Sequence, residues 1–188
     1  ADAPLITTGG DADTGYPPAM LAPSPDDVLT FWFSDSTRKH WFARSDAFDA
    51  SLRDRFGDLH TRAAAGQLDD WAATPRGALA LVILLDQASR NLHRGTPGAF
   101  ATDSAALRHA RAAVDAGFDS GLSDEERLFF YLPFEHSEDL ADQERSVALC
   151  ASLATAMYRD YAVRHRDVVA RFGRFPHRNA ILGRESTP

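Results

Sequence analysis

Apolar residues along this chain recur every three or four positions and do not alternate with polar ones, the periodicity of helices packed through one face. Phe48, Leu52, Phe56, Leu59 and Ala63 predict an amphipathic helix over residues 45–65 that ends near Gly66. Ser24-Pro25-Asp26-Asp27 supplies a capping hydroxyl, a proline for the first helical position and two acids for the helix dipole. A first helix is therefore expected from there to about Phe33. Its Phe31-Trp32-Phe33, with Trp41-Phe42 after a turn, reads as core. Thr74-Pro75 opens another helix in the same manner, and the stretch from Ala78 to Leu85 is apolar on every side, which puts that helix in the middle of the domain.

Further along, Asp103 is placed to cap a helix ending at Gly117, and Ser123-Asp124-Glu125-Glu126 is a capping box. Leu132-Pro133 predicts a stop, followed by the longest helix, from about Leu140 to Tyr161, with Val147, Ala151, Ala154 and Tyr158 on its apolar stripe. Two short helices complete the chain. No segment alternates with β-branched residues, so the expected fold is all-α: about seven to eight helices packed as successive antiparallel hairpins, tetratricopeptide-like in architecture though without a repeat. The helical domain is assigned to residues 24–188. Residues 1–23, with Gly9-Gly10, Pro17-Pro18 and Pro23 and no apolar period, read as a flexible leader.

At 188 residues, 44% of them hydrophobic, the chain is long and apolar enough to fold as one domain. Its one cysteine, Cys150, lies on an apolar helical stripe and reads as a small buried hydrophobe, which fits a reducing, cytoplasmic setting. No run reaches the roughly 20 apolar residues of a membrane span. A net charge of −7 weighs against nucleic acid as a partner. From Arg159 to Arg184, however, seven arginines face two acids. That basic end either packs on acidic helices or forms an anion site.

Three polar segments stand out as candidate chemistry. In residues 85–97 the apolar helix turns polar, with Asp86 and Arg90 four apart, Gln87 and Asn91 likewise, and Arg94 beyond them. These groups brace the helix end or face a ligand. Phe134-Glu135-His136-Ser137-Glu138-Asp139 brings carboxylates and an imidazole into one turn, the residue types of acid/base catalysis; an Asp there equally serves as a helix cap. In Phe172-Gly173-Arg174-Phe175-Pro176-His177-Arg178-Asn179 a Gly/Pro turn leads basic residues toward a helix start, where an anion is favoured; pairing with the acids of the second segment is the alternative. His40, His60, His93, His109 and His165 read as surface residues.

Taken together, Asp86-Gln-x-x-Arg-Asn-x-x-Arg-Gly-Thr-Pro, Phe100-Ala-Thr-Asp, His136-Ser-Glu-Asp-Leu-Ala-Asp-Gln-Glu-Arg-Ser and Phe172-Gly-Arg-Phe-Pro-His-Arg-Asn resemble the bacterial family known as domain of unknown function 924, from about Pro25 onward. The resemblance implies a tetratricopeptide-like helical fold and no established activity. Where that family has Phe-Pro, this chain has Ala88-Ser89, so its helix is free to continue through Arg90.

The leading functional expectation is a polar pocket for a small anionic molecule, with hydrolase- or lyase-type chemistry. His136, Glu138 and His177 are the catalytic candidates. Asp86, Arg90, Asn91, Arg94, Asp139, Arg174, Arg178 and Asn179 are the ligand-binding ones. A helical scaffold for a protein or peptide segment is the competing expectation. A metal centre built from His136, Glu138, Asp139 and His177 is a third, with no HExxH or cysteine pair to support it. The sequence names no cofactor.

Overall fold

A computed structural model describes residues 23–186, all helix, turn and loop, with no strand among them. The expected leader lies, Pro23 apart, outside the described residues. Helix α1 (Pro25–Trp32) starts as its sequence dictates: Ser24 Oγ accepts from Asp27 N–H, and the Asp27 carboxylate takes the Ser24 N–H at 2.7 Å. Short α2 (Asp35–Arg38) leads to α3 (Asp46–Ala64), capped by Ser45, with Gly66 beyond it at φ +73°. Trp32, Phe33 and Trp41 meet Phe129 edge-on with centroids 4.8–5.6 Å apart. Phe42, expected in this cluster, is 69% exposed, because the turn after α2 aims Trp41 inward and the next side chain outward.

Helix α4 (Pro75–Ile83) is the hub, and residues 78–85 are each at most 1% exposed. It packs against α1, α6 (Asp103–Asp115) and α7 (Asp124–Glu135) together, which is why it is apolar all round. It passes through one π-helical turn (Leu84–Ala88) directly into α5 (Ser89–Leu92), both flanks staying in the α region. The path through Ala88-Ser89 is thus unbroken, as the missing proline allows. The extra residue of a π turn rotates the helix beyond it by about 100° relative to a plain α-helix, so polar residues after Leu85 face new neighbours.

Three boundaries differ from the sequence expectation. Pro133 lies inside α7, which runs on to Glu135; proline removes its own N–H rung, and the next turn is held by His136 N–H on the Leu132 carbonyl at 2.9 Å. The expected helix from Leu140 to Tyr161 is two, α8 (Leu140–Cys150) and α9 (Ala156–Phe172). The turn between them is pinned to α7, Ala154 N–H on Asp124 Oδ2 at 2.7 Å and Arg127 on Ser152 Oγ at 2.6 Å, and Leu153 is tucked under it. Finally, the residue before α6 is Thr102, whose hydroxyl donates to the Leu85 carbonyl, and Asp103 does not cap: its carboxylate is held by arginines. A 3-10 turn (Pro176–Arg178) and α10 (Asn179–Leu182) close the described chain, and α6, α7, α8 and α9 pack in chain order. No described helix is long and apolar enough to cross a membrane.

Gly77, in the first turn of α4, has no room for a side chain: a Cβ there would come within 2.1 Å of the Trp71 carbonyl oxygen. Gly77→Ala should therefore destabilise the protein by about 1–3 kcal/mol, despite alanine's better helix propensity, seen as a lower urea midpoint.

Candidate functional site

Asp86 is the centre of the arrangement. Its side chain is 1% exposed; Oδ1 lies 2.7 Å from His136 Nδ1 and 3.2 Å from Arg90 Nη1, and Oδ2 accepts from Gln87 Nε2 at 2.6 Å. Burial alone would raise its pKa, but Arg90, His136 and the hydrogen bonds outweigh burial, so Asp86 is held well below the usual carboxylate range. The His136 pKa is lowered too, first by burial and then by Arg90, which favours the neutral imidazole. Its Nδ1–H is then the donor to Asp86, and Nε2 has no protein partner among the described residues.

The network continues outward. Arg90 forks onto Asp103 at 2.8 and 3.1 Å, and Arg178 reaches the same carboxylate at 3.2 Å while donating to the His136 carbonyl at 3.0 Å. The Arg178 guanidinium lies between the Phe100 and Phe175 rings, 4.6 and 4.7 Å from their centroids. Asp86, Arg90, His136 and Arg178, from three distant segments, are therefore brought together. Asp103 joins them although the sequence suggested only a cap.

The other sequence candidates lie elsewhere or have other work. Glu138 accepts two hydrogen bonds from Arg184, at 2.6 and 2.9 Å, and one from Phe175 N–H at 2.8 Å; these hold its pKa down and tie the basic end to α7–α8. Asp139 caps α8 through Ala141 and Asp142 N–H. Asn91 and Arg94 form a separate cluster on Asp49 of α3, at 2.7–3.0 Å, so Asn91 does not pair with Gln87. Arg174 is half-buried, His177 is exposed beside Phe175, and Asn179 is buried with long contacts to Glu185 and Ser186. Among the described residues no group of His, Cys, Asp and Glu is set to share a metal ion.

His136 borders two surface depressions of about 390 Å³ each. One lies over Phe100, Asp103, Glu138 and Arg178. The other opens between α7 and α9, walled by Phe42, Leu128, Leu132, Met157, Tyr158 and Tyr161, with Glu135, His136 and His165 as its polar groups. Glu135 is 5% exposed, and burial, reinforced by Asp86, pushes its carboxyl up to about 7. His165 Nδ1 donates to the Tyr161 carbonyl at 2.9 Å and stands 3.0 Å from Glu135 Oε1. Glu135 stood in the second polar segment without being chosen as a site residue, and His165 read as a surface residue. The signal available was a short extension of α7 past Leu132, which a proline masks. His60 and His109, expected at the surface, are also buried.

Fold and geometry define an all-α domain in which a buried ion network underlies a cleft. Residues 28–188 match the model of a family described as bacterial protein of unknown function (DUF924), and the chain belongs to that family. It is similar to a solved protein of unknown function from Agrobacterium tumefaciens, 46% identical, covering 87% of this chain and 92% of that one at a TM-score of 0.83. The comparison with curated proteins gives no match.

The ion network and the buried acid beside it set two stability outcomes. Asp86→Ala strands Arg90 and His136 without their shared acceptor and should cost about 3–5 kcal/mol in urea unfolding. Glu135, with its folded pKa raised from 4.5 to about 7, favours folding when protonated; that contribution is complete below about pH 4.5 and is lost as pH rises through about 7. Glu135→Gln, neutral throughout, should thus gain on the parent chain across that interval, by roughly 3 kcal/mol at its upper end, measured by unfolding at several pH values.

Proposed function

We propose that this protein is an acid/base enzyme of hydrolase or lyase type acting on a small molecule held between α7 and α9, with His136 as general base. The observation that carries the reading is the 2.7 Å pairing of His136 Nδ1 with a carboxylate only 1% exposed. That pairing fixes the tautomer in which Nε2 has the lone pair, and it stabilises the imidazolium formed when Nε2 takes a proton. Asp86 is a positioning residue in this scheme. Arg90 and Arg178, expected to hold an anion, act as braces, since both guanidinium groups already face Asp103. A depression of about 390 Å³ suits a small molecule better than the extended segment a tetratricopeptide-like scaffold would take.

Nitrogen-detected NMR of the histidine side chains tests this. The expected spectrum gives His136 as the Nδ1–H tautomer with a titration midpoint below its ordinary 6.5. Asp86→Asn should mix the tautomers. An Nε2–H tautomer in the parent chain, or a midpoint above 6.5, would remove His136 as a base.

A further inference from the structure

Among the described residues four carboxyls are buried: Asp49, Asp86, Glu135 and Asp142. Three have an arginine partner, Arg94 for Asp49, Arg90 for Asp86 and Arg111 for Asp142. Glu135 has none. Its nearest ionisable neighbour is His165 of α9, whose own pKa is lowered by burial and whose Nδ1–H is spent on the Tyr161 carbonyl. The other groups facing it are no help: Asp86 of the π turn repels its charge, His136 beside it is neutral, and Cys150 of α8 is a buried thiol pushed up to about 12. Its carboxylate oxygens accept no hydrogen bond among the described residues, and neither is sealed from solvent. A buried carboxyl without a cation is costly in its charged form, so a site that keeps one open to a cleft is short of a positive charge.

The cleft above it has the matching character. Its lining contains no lysine or arginine, and its walls include the Phe42 and Tyr158 rings, favourable partners for an organic cation, while the Tyr161 ring already has the Arg164 guanidinium 5.4 Å from its centroid. Phe42, Met157 and Tyr161 are 69%, 53% and 48% exposed, a cluster of large apolar groups at the mouth of one opening. We infer that the cleft between α7 and α9 binds a small organic monocation, an amine or quaternary ammonium on an apolar body, with Glu135 as its counter-ion. This rests on the reading of that cleft as the ligand site, not on the role given to His136. Binding ionises Glu135 and releases its proton below neutral pH.

Matched probes read by NMR test the inference: 2-phenylethylamine, 2-phenylethanol and phenylacetate, the amine being charged throughout the pH range used. The amine is expected to shift Tyr161, Met157 and His165 resonances and to bind at least tenfold more tightly than the alcohol at pH 8, with phenylacetate weakest. Its affinity should fall about tenfold per unit below pH 7. Glu135→Gln should weaken the amine tenfold or more and leave the alcohol unchanged, which also reports that the cleft is intact. Equal binding of amine and alcohol, or tighter binding of phenylacetate, overturns the cation while leaving a ligand cleft. No shift in the cleft with any probe overturns the inference, and the His136 tautomer then decides separately whether the base survives.

Discussion

A carboxylate ionised in the protein interior is the constraint on which the rest of this arrangement depends. Asp86 is desolvated by the most apolar helix among those described, and only its charged and hydrogen-bonding partners keep it ionised there. Arg90 comes from the same rod one turn on, His136 from the end of α7, and Arg178, through Asp103, from the basic end. Through Arg178 the network also ties the C-terminal turn to the bundle. The network thus serves as tertiary glue at the polar end of the bundle, and it orients an imidazole as a by-product of satisfying its acid.

Glu135 is the counterpart. It sits one residue from His136 and feels the Asp86 charge, yet no guanidinium reaches it. Two acids close in space are therefore driven apart in protonation, one permanently charged and one poised near neutrality, which is how proteins separate the roles of neighbouring carboxyls. The difference comes from the company each keeps, not from residue type.

The helical fold was legible because its signals are local: Ser24 and Ser123 with their acids three residues on, Thr74-Pro75, and the three-to-four-residue period of α3. The break between α8 and α9 was not, because no glycine or proline marks it; a carboxylate from α7 and a buried Leu153 make it. Pro133 misled in the other direction, since one lost rung near a helix end is tolerable. The convergence of Asp86, Arg90, His136 and Arg178 was anticipated from residue type. Asp103 was hidden because its place at a helix start reads as a cap, and the exposed Phe42 because its neighbours are aromatic. A single-turn π distortion has no sequence signature at all, and it turns the residues after Leu85 toward their partners.

The turn at residues 151–155 has a meaning beyond connection. It carries α9 back along α7 from an anchor at Asp124 and Arg127, far along α7 from Glu135, so the spacing between the two helices is set remotely from the polar floor of the gap. Lengthening or re-pinning that short joint would widen or narrow the opening while Asp86 and its partners stay where they are. The width of the gap and the ion network beneath it are thus governed by separate parts of the fold.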